Sequence, residues 1–343
     1  MPNKPTILIT GGAGYVGSVL TDRLIRSGNF VRVFDRGYFG FDHLNKIAEV
    51  VKGDTRNPPE DLMEKVDAVV HLAAFSNDPT ADYDPVANWT MNYEGTKKIA
   101  DMAKENGIKR FVEASTCSCY YRTGEIPEKI FDEGAEIKCE APYPKSKKAA
   151  EDYLLSITDR NFKPIILRKG TIYGVSPRMR YDLVLNTFVK DAFLKGEIKI
   201  HAEGKLERPI LSLTEAVDVY QKILNAPLEK VGGQIWNVVG ENIKIMDLAF
   251  KVYKTLLEKR NTQIKLDIWR YDEGVIRSYK VSCQKLNKLF PQRKKQSIED
   301  AIVEMWDDLV CKYNPDDPIY YNIRNLEELK KYEDRLNDLG SVL

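Results

Sequence analysis

One stretch constrains the fold more than any other. Thr6-Ile7-Leu8-Ile9-Thr10 runs directly into Gly11-Gly12-Ala13-Gly14-Tyr15-Val16-Gly17, and an apolar helical pattern begins at once. An apolar run, a turn with glycines at 11, 14 and 17, and an opening helix together make a strand–turn–helix unit. Gly11 suits a tight turn, Gly14 lets the backbone approach a pyrophosphate, and Gly17 lets the helix pack close on the strand. Tyr15 and Val16 lie in its first turn, where free N–H groups and the positive end of the helix favour an anion. A second apolar run, Phe30-Val31-Arg32-Val33-Phe34, ends at Asp35, where an acid can accept hydrogen bonds from ribose hydroxyls. With Asp35 there, and Arg36 only after it, NAD is expected rather than NADP.

The first half alternates short apolar runs, at 6–10, 30–34, 49–52, 68–72, 110–113 and 164–167, with helical patterns at 16–27, 60–65, 89–106 and 145–157. Such alternation predicts right-handed crossovers and a mostly parallel sheet covered on both faces, with ligands beyond the carboxyl ends of its strands. Past Tyr173 the pattern changes. A loop with two cations precedes helices at 183–194 and 217–225, a returning strand at 234–239, an amphipathic helix at 244–259, a strand at 264–269 and a helix at 297–310, which Ser297 caps. The division expected is a dinucleotide-binding unit over 1–172 with returning segments at 211–240, a substrate unit over 173–210 and 241–314, and a tail over 315–343. The tail carries a charged helix near 326–339 whose periodic leucines suit a docked surface helix.

Charge and cysteine usage narrow the partners. A net charge of +1 gives no reason to expect nucleic acid or a membrane surface, and no apolar run is long enough to span a bilayer. Five scattered cysteines suit a reducing compartment, and three histidines offer few metal partners, so no metal is expected. The opening Met1-Pro2-Asn3 leads into a core strand rather than a leader, which points to the cytoplasm.

Two further stretches suggest chemistry. In Pro142-Tyr143-Pro144-Lys145-Ser146-Lys147, Tyr143 and Lys147 are one helical turn apart. A nearby ammonium favours a phenolate, which can take a proton from an alcohol as hydride leaves the same carbon. The strand Phe111-Val112-Glu113-Ala114-Ser115-Thr116 brings hydroxyl groups to a carboxyl end, where Thr116 can hold a substrate oxygen beside Tyr143.

With these stretches in order, the chain resembles the extended short-chain dehydrogenase/reductases, in their nucleotide-sugar epimerase/dehydratase group. Gly53-Asp54-Thr55-Arg56, His71-Leu72-Ala73-Ala74, Asn92-Tyr93-Glu94-Gly95-Thr96 and Leu167-Arg168…Tyr173-Gly174 complete the match, from about 6 to 310. The resemblance implies an α/β fold: a Rossmann-type doubly wound parallel sheet with a smaller mixed α/β C-terminal substrate domain. It implies NAD held by Gly11, Gly14, Tyr15, Val16, Gly17, Asp35 and Arg36. Asp54 and Thr55 would hold the adenine, Leu72, Ala73, Ala74 and Ser115 would line the cofactor, and Asn92 would brace the catalytic helix through a water. Thr116, Tyr143 and Lys147 would form the catalytic triad, with Lys147 on the nicotinamide ribose. Arg208 and Arg277 would meet the substrate pyrophosphate, with Thr171, Arg178, Arg180 and Asn186 on the rest of the nucleotide sugar. It also implies a homodimer through a four-helix bundle.

Departures narrow the activity. Dehydratases of the group place an Asp-Glu pair after the threonine, and its decarboxylases use a Glu nearby. Here Cys117 and Ser118 follow Thr116, and neither is a competent general acid. The expectation is therefore a 4-epimerase, with a one-way 4-dehydrogenase or 4-keto reductase as the alternative and a catalytically silent NAD-binding regulator behind both.

Overall fold

The computed structural model describes residues 4–121, 128–270, 277–312 and 314–340, with the side chains of 332–340 left aside. Met1-Pro2-Asn3, on which the leader argument rested, and the last three residues of the expected tail lie outside the described residues. The centre is a seven-stranded sheet in the order β11-β7-β5-β4-β1-β2-β3. Its strands are β1 (Thr6–Thr10), β2 (Phe30–Asp35), β3 (Glu49–Lys52), β4 (Ala68–His71), β5 (Arg110–Thr116), β7 (Lys163–Lys169) and β11 (Gln234–Val238). All six pairings are parallel.

Both faces of this sheet are buried, which is why its strands read as near-continuous apolar runs. Ile7, Ile9, Val33, Ile165 and Leu167 pack on one face with α1 (Tyr15–Arg26) and α7 (Leu213–Asn225). Leu8, Phe34, Phe111 and Ile166 pack on the other with α4 (Gly95–Glu105) and α5 (Pro142–Ser156). Each fully buried side chain of this kind contributes about 1.5–3 kcal/mol. The first cluster continues into α6 (Val184–Lys195), α9 (Ile245–Arg260) and α11 (Ile298–Cys311) through Leu185, Leu248 and Ile302.

Smaller sheets complete the C-terminal part. β10 (Glu207–Ser212) lies between β8 (Thr171–Tyr173) and antiparallel β12 (Glu241–Lys244). β13 (Lys265–Ile268) pairs with β9 (Glu197–Ile200), and β14 (Lys280–Val281) with β6 (Ile130–Phe131). Short helices α2 (Asp78–Tyr83), α3 (Pro85–Trp89), α8 (Leu228–Val231) and α10 (Gln284–Leu289) fill connections, and α12 (Asn322–Gly340) ends the described chain. No helix among the described residues is long and apolar enough to cross a membrane.

Where boundaries differ from expectation, caps and strand ends explain it. The helix expected over 89–106 begins at Pro85, because the Asp84 carboxylate caps the Ala87 N–H at 2.8 Å and Pro85 suits the first position. It then widens into a π turn at Thr90–Glu94 before α4. α7 starts at Leu213, four residues early, because the Ser212 hydroxyl accepts the Glu215 N–H at 3.1 Å. β5 and β7 run on to Thr116 and Lys169, past the last residues of their apolar runs.

Candidate functional site

The carboxyl ends of β1, β2, β4, β5 and β7 open into a cavity of about 420 Å³. It sits where the sheet order reverses between β1 and its neighbours β2 and β4, the switch point at which open α/β sheets bind ligands. One half is made by backbone. Gly11 has φ +70°, and a Cβ there would lie 2.6 Å from the Ala73 nitrogen; at Gly17 a Cβ would lie 2.3 Å from the Gly11 oxygen. Gly14 caps α1 with no side chain on the first-turn N–H groups, and Gly14, Tyr15, Val16 and Gly17 line the cavity. An uncapped helix start in a glycine cradle fits a dinucleotide diphosphate.

Asp35 stands at the end of β2 on the same wall, its carboxylate accepting the Ala13 N–H at 3.1 Å and the Gly37 N–H at 2.8 Å. Burial raises its pKa, and these two bonds oppose the rise. Leu72, Ala73, Ala74, Ser115 and Thr55 line the cavity too. Arg36 lies 4.5 Å over the Tyr38 ring. Asp54, expected beside Thr55 on the adenine, does not line the cavity; its carboxylate is held by Arg56 at 2.7 Å and Arg36 at 3.3 Å.

Below the cavity a buried chain of hydrogen bonds links four elements. Thr96 Oγ1 donates to the Asn92 carbonyl at 2.6 Å, so its lone pairs face His71 Nε2, which donates across 3.1 Å. His71 Nδ1 is then the acceptor for the Thr10 hydroxyl at 2.7 Å. Burial holds the His71 pKa down to about 4, so the ring is neutral at pH 7. Asn92 was expected on the cofactor and linked to the catalytic helix by a water. Instead it lies beneath the wall, and its Nδ2 donates directly to Ser146 Oγ at 3.1 Å, while its Oδ1 accepts the Phe75 N–H at 2.7 Å. Ser146 in turn donates to the Tyr143 carbonyl at 2.9 Å, fixing the first turn of α5.

Tyr143 and Thr116 both line the cavity, and the Thr116 hydroxyl is among the groups that favour the phenolate. Thr116 Oγ1 accepts the Ser118 N–H at 3.0 Å, which orients it. Burial is the largest influence on the Tyr143 phenol and raises its pKa. The Asp78 carboxylate adds to the rise, and the Thr116 hydroxyl and Arg180 oppose it. Lys147, expected to lower this pKa, is held by a carboxylate. Lys147 is 1% exposed, lies outside the cavity lining and pairs with the Glu113 carboxylate. A second lysine, Lys169, does line the cavity. Its ammonium donates to Tyr220 Oη at 3.1 Å, and burial together with Lys147 pushes its pKa down to about 7.

The other half of the cavity is built from side chains on separate segments. Arg208 and Arg277 line it with Thr171 and Tyr279. Arg277 pairs with Asp78 at 3.1 Å, and Asp78 accepts the Tyr121 hydroxyl at 3.0 Å. Arg180 lines the cavity and pairs with Asp182 at 2.8 Å. Arg178 lines it near Asp35 and Phe39. Asn186, expected on the substrate, is buried behind the wall. It donates to Tyr15 Oη at 3.1 Å and to the Arg180 carbonyl at 2.9 Å, and accepts the Gly174 N–H at 3.1 Å. Its place in the first turn of α6 turns it inward, toward α1.

Sequence reasoning missed Asp78, Lys169, Glu113 and Asn322. Asp78 carried a readable signal, since Asn77 precedes it as a cap and Pro79 follows at a helix start. Glu113 and Lys169 interrupt apolar strands near their carboxyl ends, and of the two Lys169 lines the cavity while Glu113 is buried beneath it.

Comparison with known proteins shows the family. The family model "NAD dependent epimerase/dehydratase family" matches residues 7–239. The chain is 29% identical over 267 residues to UDP-N-acetyl-alpha-D-glucosaminuronate decarboxylase of Bacillus cytotoxicus, covering 73% of this chain and 80% of that protein. It is 32% identical over 202 residues to a putative UDP-glucose 4-epimerase of Methanocaldococcus jannaschii, covering 57% of this chain and 65% of that one. Across eight curated relatives the chain spans between 45% and 80% of their length. The fold matches the UDP-N-acetylglucosamine 4-epimerase of Methanobrevibacter ruminantium M1 with a TM-score of 0.78 at 22% identity, covering 90% of this chain and 99% of that one. A glycine cradle at the switch point, an acid at the end of β2 and a match over the whole sheet lead to one statement: the chain belongs to the NAD-dependent epimerase/dehydratase family of extended short-chain dehydrogenases/reductases.

Proposed function

We propose that this enzyme is an NAD-dependent nucleotide-sugar 4-epimerase. The observation that carries the reading is that Tyr143 and Thr116 share the cavity wall, with no acid directly after Thr116. The next side chain, Cys117, is buried, donates to the Arg168 carbonyl at 3.2 Å and has a thiol pushed well above its usual pKa by burial. Such a site can oxidise and reduce a carbinol, and the position directly after Thr116 supplies no acid for eliminating water.

NAD, held by the glycine cradle and Asp35, would supply reversible hydride chemistry at C4 of the sugar. Tyr143 Oη, as the phenolate that the positive charge of an oxidised nicotinamide would favour against burial, takes the proton of the C4 hydroxyl and gives it back after the sugar has turned. Thr116 Oγ1 shares that proton, since it lines the same wall as the phenol and is aimed by the Ser118 N–H. Lys147 and Glu113 form a fixed ion pair beneath α5, and Asn92 holds the same helix through Ser146. Arg208 and Arg277 hold the substrate diphosphate, for which the planar guanidinium is suited. On this reading residues 1–172 with 211–240 carry the cofactor, and 173–210 with 241–314 carry the sugar. Two chains pair through α4 and α5, beside which Tyr83, Val86 and Trp89 expose apolar surface.

The test is incubation of the purified protein with UDP-, GDP- and dTDP-sugars, UDP-glucuronate among them, followed by NMR of the sugar and absorbance at 340 nm. Interconversion of C4 epimers with no net absorbance change is expected. Net NADH formation marks a one-way oxidoreductase, and release of carbon dioxide marks a decarboxylase; either sinks the proposal.

A further inference from the structure

The C-terminal helix clasps three segments that line the cavity. The Tyr320 carbonyl accepts the Tyr181 N–H at 3.0 Å, and the Tyr320 and Tyr321 rings lie 5.4 and 6.3 Å from the Tyr181 ring. From the first turn of α12, Asn322 Nδ2 donates to Ser76 Oγ at 3.2 Å, and Asn325 Nδ2 donates to the Tyr38 carbonyl at 3.1 Å. Asn322 and Leu326 reach the cavity wall itself. The segments so joined follow β2, β4 and β8, which are remote in sequence and adjacent only around this cavity.

Arg178 is where they converge. It is 4% exposed, and its guanidinium lies 3.5 Å from the centre of the Phe39 ring. Asn322 Oδ1 accepts from its Nη2 at 2.7 Å. Its Nε is buried with no hydrogen-bond partner. The neighbouring Arg180, by contrast, has a carboxylate, Asp182, on its Nε and Nη2. Burial and the charge of Arg180 push the Arg178 pKa down to about 9, so this cation is under-neutralised. A buried guanidinium with an unused N–H on a cavity wall calls for an anionic oxygen.

The anion is placed by what surrounds Arg178. Asp35 and Tyr15 both feel its charge, and Phe39 comes from the loop after β2. That is the half of the cavity with the glycine cradle and the bare start of α1, away from Arg208 and Arg277. The side chain at 322 also fits. An amide oxygen orients the guanidinium without cancelling its charge, whereas a carboxylate there would neutralise it.

We propose that Arg178 binds the diphosphate of the dinucleotide, and that Asn322, reaching in from α12, is its positioning residue, which makes the C-terminal helix a strap over the cofactor. This replaces the expectation that Arg178 meets the sugar nucleotide, and it rests on the NAD reading of the cavity but not on the epimerase chemistry. Cofactor release then requires the Asn322 contact to open, which suits an enzyme that regenerates NAD in every cycle.

The experiment is the release rate of NADH from the full-length protein, read as loss of bound-NADH fluorescence on adding excess NAD, with UDP affinity measured alongside by calorimetry. Asn322→Ala should release NADH roughly tenfold faster, and Arg178→Ala roughly a hundredfold, as expected for losing one hydrogen bond and one charge-assisted contact. Asn322→Asp should also release faster although it keeps the bond, because it quenches the charge; a merely structural contact would be preserved by that change. The double variant Arg178→Ala/Asn322→Ala should be no faster than Arg178→Ala, and UDP affinity should be unchanged throughout. Wild-type release from Asn322→Ala and Asn322→Asp, additive effects in the double variant, or loss of UDP affinity in place of NADH each overturn the proposal. If Arg178→Ala does not fold, the two Asn322 variants decide it. An inactive protein with these release rates keeps the strap and removes the epimerase, and the reverse result does the opposite.

Discussion

The two halves of the cavity are built on different principles. The half around Gly11, Gly14, Gly17 and Asp35 uses backbone N–H groups, close backbone approaches and one short side chain, all within the first two strands and one helix. The half around Arg208, Arg277, Asp78 and Tyr279 uses side chains from segments that meet only in the folded chain, and Arg277 pairs with Asp78. A backbone cradle admits one kind of ligand and little variation. A wall of arginines, tyrosines and a carboxylate can be re-aimed by single substitutions. A fixed cofactor site beside a variable substrate site lets one family host epimerases, dehydratases and decarboxylases.

The sharpest test of the division lies at its seam. Tyr143→Phe should lower turnover by roughly 10³-fold or more while NADH fluorescence titration gives an unchanged affinity, because only the proton-transfer group is removed. Lys147→Ala should behave differently. It strands the Glu113 carboxylate in the core, and denaturant unfolding should show a loss of about 4 kcal/mol. A Lys147→Ala protein of full stability would show that this lysine does not neutralise Glu113.

His71 gives the support of the cofactor half a pH signature. Its pKa is about 4 in the fold, against an ordinary value near 6.5, so the unfolded chain takes up the proton first. The stability that neutral His71 contributes is complete above about pH 6.5 and is lost as pH falls toward 4, by about 3 kcal/mol, measurable as a falling unfolding midpoint. Replacing His71 with Gln should flatten that slope.

Two substitutions of smaller effect contrast the halves directly. Gly17→Ala forces a Cβ against the Gly11 carbonyl and should cost roughly 2 kcal/mol of stability and most of the NAD affinity, with UDP binding spared. Arg208→Ala should raise the KM for the nucleotide sugar roughly tenfold, with NADH release unaltered. If either variant disturbs both ligands equally, the two halves are not separable.

Legibility in the sequence followed the same division. The strands read well because burial on both faces leaves an apolar run, and the glycine turn read well because its spacing is local. β5 and β7 were cut short because polar residues, Glu113, Ser115 and Thr116 in one and Arg168 and Lys169 in the other, break the apolar run near the cavity. The triad stretches were legible as residues but not as contacts. Glu113 lies far from Lys147 in the chain, so their pairing, which holds the lysine beneath the wall, had no local signature. Asn186 was misplaced because its inward turn depends on Tyr15 and Gly174, which only the fold brings near. The tail read as a surface helix because leucine period and charge report amphipathicity, whereas the cavity contact is made by Asn322, one polar residue four positions before the helix expected at 326.

The most direct test of the 4-epimerase account is the fate of a deuterium placed at C4 of the nucleotide sugar that the substrate panel identifies. The account predicts that deuterium stays at C4 in both epimers, because the hydrogen leaves and returns within one closed site, and that none reaches the solvent. Deuterium appearing in water, or accumulating in free reduced cofactor beside a keto sugar, would contradict it.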